Sequence, residues 1–220
     1  MADFLSLDLL LPAIGETLLM VFLSTVMSLA IGLPVGVVLL LTEKGGLWEK
    51  PNLSAVLGTV VNIMRSFPFL ILMIVIIPFT RLLVGTSTGT MATVVPLTIS
   101  AIPFVARVVE SALREVDHGL VEAAQSMGAT TFNIISKVLI PESLPSIVSG
   151  ITLTIINLIG YSAMAGAIGG GGLGDLAIRY GYHRYEVGIM IISVVVIILL
   201  VQVIQMLGNS ISIGINNKRK

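Results

Sequence analysis

From Ala13 to Leu41 the chain runs for twenty-nine residues with a single ionisable side chain, Glu16, near its start. About 20 apolar residues in a helix cross a hydrocarbon layer of about 30 Å, where only helices and closed barrels satisfy their own backbone polar groups. Such a stretch commits its chain to the membrane before any other residue is weighed. Four more apolar runs follow, over 53–79, 90–109, 146–168 and 187–207. The sequence therefore predicts an all-α integral membrane protein with five transmembrane helices.

Composition agrees and removes several classes of function. Of 220 residues, 55% are hydrophobic and 11% charged, against about 25% charged in soluble domains. The net charge is zero, and no basic tract exceeds Lys218-Arg219-Lys220, which argues against a nucleic-acid partner. With no cysteine, disulfides, thiolate metal sites and cysteine nucleophiles are excluded. His118 and His183 stand far apart and read as loop histidines rather than a metal pair. No catalytic set assembles within the spans, and no G-x-x-x-x-G-K-[ST] loop offers a phosphate cradle, so the chain is not read as an enzyme. An ion-coupled secondary transporter is disfavoured too, because only Glu16 and Glu110 lie near the spans and no internal repeat is visible.

Charge asymmetry sets the expected topology. The first Lys or Arg is Lys44, so the basic region that opens a cleavable signal is missing and the first span should stay as an anchor. Five spans put the termini on opposite sides. With the N-terminus outside, Lys44, Lys50, Arg107, Arg114, Lys137, Lys218, Arg219 and Lys220 face the cytoplasm, whereas Arg81, Arg179 and Arg184 lie outside. The excess of basic residues on the inner side fixes that orientation. The expected division is then an external segment 1–12, a permease domain 13–207 with a cytoplasmic loop 110–145, and a basic cytoplasmic tail 208–220.

Within the spans, Gly32 and Gly36 have the G-x-x-x-G spacing of close helix packing. Trp48 stands where an interfacial aromatic belongs. Arg65 falls inside the second span, where a charge costs about 2.5–3.5 kcal/mol, and Pro68 predicts a kink after it. Arg65 admits two readings, a structural ion pair or a part of a solute path or gate. Pro96 and Pro103 mark kink points in the third span, and Arg107 and Glu110 are spaced to pair. The fourth span carries Asn157, Tyr161, Ser162 and Met164. After it, Gly166 to Gly174 is too rich in glycine for regular helix, and 175–186 reads as a polar connection with Tyr180, Tyr182 and Tyr185.

The longest polar-containing interval holds two short amphipathic helices. In the first, Leu120, Val121, Ala124 and Met127 share a face until Gly128 breaks the run. In the second, Thr130 is the predicted N-cap and Phe132, Ile135, Val138 and Leu139 form an apolar stripe that Pro141 should end. An apolar face on a helix pair outside the membrane calls for a protein to dock against.

Glu122-Ala123-Ala124, three residues, Gly128, nine residues, then Val138-Leu139-Ile140-Pro141 resembles the EAA loop of ABC-importer permeases, with Val for Ile and Ile for Leu in its last part. The resemblance implies a type I ABC-importer permease architecture. It makes Glu122, Ala123, Ala124, Met127, Gly128, Val138, Leu139 and Pro141 the coupling residues toward a separate ATPase, which would hold ATP and magnesium; no cofactor is implied in this chain. Arg65-Ser66-Phe67-Pro68-Phe69 is similar to a segment of amino-acid-type ABC permeases. Gly160-Tyr161-Ser162-Ala163-Met164-Ala165-Gly166 followed by Ile168-Gly169-Gly170-Gly171-Gly172-Leu173-Gly174 resembles the methionine-importer permeases, although its glycine-rich end is shared with osmoprotectant and phosphonate permeases.

That likeness implies a homodimer in the bacterial inner membrane with two cytoplasmic ATP-binding subunits and an external binding protein, a lipoprotein, carrying D/L-methionine by alternating access. Five kinked spans are in any case few to enclose a path alone, which favours two copies about a two-fold axis. The alternative solute is a quaternary-amine osmoprotectant. Tyr161, Ser162 and Met164 are the candidates for lining the route, because a thioether solute suits apolar and polarisable walls; simple helix packing is the other reading of them.

Overall fold

The computed structural model describes the backbone of residues 2–217 and side chains from Asp8 onward; Lys218, Arg219 and Lys220 of the expected basic tail lie outside the described residues. No strand occurs among the described residues. In chain order the helices are α1 (Ala2–Thr42), α2 (Pro51–Ser66), α3 (Phe69–Val75), α4 (Ile77–Val84), α5 (Thr90–Arg114), α6 (His118–Ser126), α7 (Thr131–Ile134), α8 (Ile140–Ala165), α9 (Gly172–Leu176) and α10 (Val187–Asn217). Among the described residues four helices are long and apolar enough to cross a membrane, and α2 with α3 makes a fifth if that bent pair is one span.

The middle of the third expected span is the middle of the molecule. In α5, 61% of the apolar window is buried inside the protein, against 6% in α10, so α5 is the central post and α10 an outer one. The helix continues unbroken through Pro96 and Pro103. Close contact of α1 with α5 follows from the two small residues the spacing singled out. A Cβ on Gly32 would lie 2.8 Å from Val105 Cβ, and one on Gly36 only 2.5 Å from the Ala106 carbonyl oxygen. Two apolar clusters fill the bundle on either side of that crossing. Met20, Phe69, Leu97, Leu158 and Ile159 belong to one; Leu41, Val109, Leu113, Ala124, Ile134 and Leu139 belong to the other. The second joins the polar interval after α5 to the bundle and marks the elbow end of the molecule.

Several boundaries differ from those expected, each for a local reason. Helix α1 begins by Ala2, ahead of 13, and α5 runs to Arg114, past 109. The second span is not one rod. Pro68 holds Phe67 extended (φ −70°, ψ 124°), and the chain bends by 99° between α2 and α3.

Pro141 does not end the helix before it. Residues Ile135–Leu139 form a wide π turn in which the Ile140 N–H donates to the Ile135 carbonyl, so helix continues from Thr131 to Ile168. The wider turn carries the proline ring past the carbonyl it would strike in a regular α-helix.

At the far end, the region expected as a polar connection is helical through Leu176 and a second π turn to Tyr182. Asp175 and Arg179 pair along it, and Leu173 and Leu176 pack with Leu10 and Ala13. The expected tail is the continuation of α10 as far as Asn217.

The glycine-rich stretch, expected to avoid regular helix, does so only over residues 169–171, between a 3-10 turn (Gly166–Ile168) and α9, and it is strapped to α1. Gly172 N–H donates to Glu16 Oε2 at 2.6 Å and Leu173 N–H to Thr17 Oγ1 at 2.9 Å. Glu16, a carboxylate within an apolar helix, thus spends its charge on a free end of backbone. A Cβ on Gly174 would stand 2.3 Å from the Ala163 carbonyl oxygen, so only glycine permits this approach to α8.

Candidate functional site

The elbow is built by two caps and one left-handed residue. Asp117 accepts from the Gly119 N–H at 2.7 Å and starts α6. At its end the Met127 N–H reaches the Ala123 carbonyl (3.1 Å) and the Ala129 N–H reaches that of Ala124 (3.0 Å), a closure that needs the φ of +75° at Gly128. Thr130 Oγ1 then accepts from the Asn133 N–H at 3.4 Å, the N-cap its position predicted.

Burial divides the predicted coupling residues into two groups. Ala124 and Leu139 are buried in the elbow-end cluster beside Ile134, and Val138 is half-buried against it. Glu122, Ala123, Met127, Gly128 and Pro141 are exposed. Met127 at 81% and Phe132 at 76% are large apolar side chains left in the open, with Leu120 beside them in α6. The elbow is thus rooted by one face and presents the other.

Charge ties the same end together. Arg107 Nη1 donates to Glu110 Oε2 at 2.6 Å, the pair that the sequence spacing predicted. Arg114 pairs with Glu110 Oε1 at 2.9 Å and also with Glu43 beyond the end of α1. Arg107 reaches across to α2, donating to the Gly58 carbonyl (3.1 Å) and Asn62 Oδ1 (3.0 Å). On the other side, Ser146 donates to Glu115 at 2.6 Å, closing the base of the elbow onto α8.

A second site opens where α2 bends. A recess of about 220 Å³ is walled by Arg65, Phe67, Ser100, Phe104, Asn157 and Tyr161, among others. Arg65 sits 5.7 Å above the Phe104 ring, and Tyr161 stacks on Phe69 with centroids 4.6 Å apart and planes within 2°. Arg65 and Tyr161, distant in sequence, therefore meet. Ser162 and Met164 do not line this recess. Ser162 is buried and its hydroxyl donates to the Ile159 carbonyl at 2.8 Å, whereas Met164 is exposed on another face of α8. Ser100 and Phe104 of α5 and Thr154 of α8 were missed from sequence, and Asn157, noted beside Tyr161 on the fourth span, was not among the pathway candidates. Their spacing, i to i+4 on α5 and i, i+3, i+7 on α8, was the available signal. Among the described residues no cluster of three potential metal ligands forms.

Comparison with known proteins agrees along most of the chain. Residues 32–212 match the family described as binding-protein-dependent transport system inner membrane component. A probable D-methionine transport system permease protein, MetI, of Vibrio cholerae is 58% identical over 207 residues, covering 94% of this chain and 92% of that one. The methionine import system permease protein MetP of Bacillus subtilis is 52% identical over 79% of this chain and 78% of its own length. A solved structure described as an inward-facing conformation of the MetNI methionine ABC transporter superposes with a TM-score of 0.93 at 47% identity, covering 95% of this chain and 97% of its own. An amino acid ABC transporter solved with histidines shares the fold, with a TM-score of 0.79 at 20% identity. The all-helical bundle, its apolar spans and these matches together place the chain in the family of binding-protein-dependent transport system inner membrane components.

Proposed function

We propose that this chain is the membrane-spanning subunit of an ATP-driven importer of D/L-methionine, acting as two copies with two cytoplasmic ATP-hydrolysing subunits and an external binding protein. The names of its relatives support the solute, and the balance of basic residues supports an outer N-terminus and a cytoplasmic C-terminus. The observation that carries the reading is the divided elbow. Ala124, Ile134 and Leu139 are built into the bundle, while Leu120, Met127 and Phe132 stand exposed on a segment that begins and ends at long helices. An apolar face so fixed suits docking into a groove of a motor subunit.

In that cycle, ATP draws the two motor subunits together, and each carries its docked elbow with it. The spans rock from inward-facing to outward-facing, the binding protein releases its cargo, and hydrolysis resets the path. ATP and magnesium belong to the motor chains. Tyr161, Ser162 and Met164 mark the part of α8 assigned to the route, with the Tyr161 ring at the recess and the Met164 thioether exposed.

The test is uptake of labelled methionine by cells whose other methionine importers are deleted, with Glu122→Lys or Gly128→Leu in the elbow. Loss of uptake, with hydrolysis uncoupled or the motor subunit no longer co-purifying, is the expected result. Normal uptake in both variants would remove the docking role. Competition by glycine betaine rather than methionine would reassign the solute to a quaternary amine.

A further inference from the structure

Two bodies meet at the end of the bundle away from the elbow, and hydrogen bonds tie them there. The first is the elbow with α8, continuous in helix from Thr131 to Ile168. It extends into α9, because the two pack without room for a methyl group: a Cβ on Gly166 would stand 2.2 Å from the Asp175 nitrogen, and one on Gly174 2.3 Å from the Ala163 carbonyl oxygen. The second body is α1 with α5, locked together at Gly32 and Gly36. Between the bodies, Gly172 N–H donates to Glu16 Oε2 and Leu173 N–H to Thr17 Oγ1. From the start of α5, the Thr93 hydroxyl lies between the carbonyls of Gly89 and Gly170 (3.0 and 3.1 Å), and the Gly89 N–H donates to the Gly169 carbonyl at 2.8 Å. Gly172 and Leu173 are buried, so their N–H groups have no solvent to turn to while the strap is made. Consecutive left-handed glycines, Gly171 (φ +81°) and Gly172 (φ +75°), lead the chain into these bonds. The bond to the Glu16 carboxylate, at 2.6 Å, is the shortest of the set.

We propose that this strap is a latch on the transport cycle, with Glu16 and Thr17 as its positioning residues. It holds the far end of the elbow body to α1 in this structure and lets go when the elbow is drawn by its motor partner. The apolar contacts of Leu173 and Leu176 with Leu10 and Ala13 beside it tolerate sliding. The hydrogen bonds are directional and are made or lost within about 1 Å, which gives the junction two discrete states. Held, the carboxylate strengthens its bond over a neutral acceptor by about tenfold in an equilibrium. Released, Glu16 is only half-buried, so water can take the place of the Gly172 N–H. A contact of that kind biases a cycle toward rest without freezing it. The assignment rests on the import reading given above and adds to it the contact that keeps the idle transporter closed at the end away from the elbow.

The test uses the full complex in vesicles, with its ATPase, and reads ATP hydrolysis per assembled complex before binding protein and methionine are added. Glu16→Gln keeps the length of the side chain and a neutral acceptor. Its basal hydrolysis should rise by about three- to tenfold, and the further stimulation by methionine-loaded binding protein should shrink by the same factor. Thr17→Val removes the acceptor of the Leu173 N–H at nearly equal volume and should move both readings in the same direction. A brace with a structural role alone would shorten the thermal half-life of the complex and leave the basal rate per assembled complex at the parent value. Basal hydrolysis unchanged or lowered in both variants, or failure of both to assemble with the ATPase, overturns the latch; if the parent chain imports methionine in the same vesicles, the import reading stands. If the parent chain imports no methionine, both fall together.

Discussion

Glu110 is the side chain whose loss should be felt most at the elbow end. It is buried, and its two oxygens accept from Arg107 at 2.6 Å and Arg114 at 2.9 Å. Glu110→Gln keeps the volume and one carbonyl acceptor but removes the charge. A hydrogen bond to a charged group contributes about 1.5–3 kcal/mol and a neutral one about 0.5–1.5 kcal/mol. Arg114 is more than half exposed and retains Glu43, so its share is that of a surface pair, about 0–1 kcal/mol. Arg107 is mostly shielded and would be left with neutral acceptors alone, Gly58, Asn62 and at best the new amide oxygen. The net cost is therefore about 1–3 kcal/mol, most of it through Arg107. The assay is the half-life of the purified complex at a fixed elevated temperature, read by fluorescence-detected size exclusion, for Glu110→Gln, Arg107→Gln and the double variant. Where the carboxylate and guanidinium have already parted at the unfolding barrier, each 1.4 kcal/mol is worth about tenfold in rate, so Glu110→Gln should shorten the half-life by roughly five- to a hundred-fold. The double variant should fall well short of the product of the two single effects. Strictly multiplicative effects, or a Glu110→Gln complex as durable as its parent, would refute the argument.

Gly36→Leu should prevent α1 from reaching α5, because even a Cβ there meets the Ala106 carbonyl at 2.5 Å; the expected loss is about 1–3 kcal/mol or more, seen as a poor yield of monodisperse protein. Phe132→Ser should leave folding unchanged, since the ring is 76% exposed, yet reduce the amount of ATPase that co-purifies. Met164→Ala should alter initial rates of methionine uptake without changing that co-purification, and identical rates across methionine concentrations would remove Met164 from the route.

The long-range course of the chain was legible because a bilayer leaves few choices. Runs of apolar residues, a glycine pair at helical spacing, a proline after Arg65 and a threonine cap each encode their structure locally. What escaped was set by partners far away in sequence. Glu16 reads as an isolated cost inside a span until the Gly172 N–H, 156 residues on, is seen to need it. Pro141 reads as a stop because nothing in its neighbourhood announces that the preceding turn widens. Residues 175–186 look like a loop by polarity, but the pairing of Asp175 with Arg179 and the packing of Leu173 and Leu176 hold most of them in helix. The same holds for the recess. Arg65 and Tyr161 are visible one at a time, and only the bend at Pro68 brings them to one wall.

The failure of Pro141 to end its helix matters most for how force can travel. A loop that stopped at Pro141 would leave the elbow hinged to the bundle, and a pull on Phe132 would be absorbed by that hinge. Instead, helix continues from Thr131 through the π turn to Ile168, so the exposed elbow and the span that walls the recess are one body. Asn157 and Tyr161 lie on that body, about 35–45 Å from Phe132 at a rise of about 1.5 Å per residue. Arg65, on the opposite wall, belongs to α2, which is bound to α5 through Arg107 rather than to the elbow. If the elbow is the point where a motor subunit docks, as proposed, a displacement there should move one wall of the recess against the other, and the distance from Arg65 to Asn157 is the coordinate expected to change. Inserting two glycines between Val138 and Leu139 should cut this link, leaving an ATPase that still hydrolyses while methionine uptake falls by at least about tenfold. Preserved uptake with the glycines in place would mean that the drive enters the bundle by another helix.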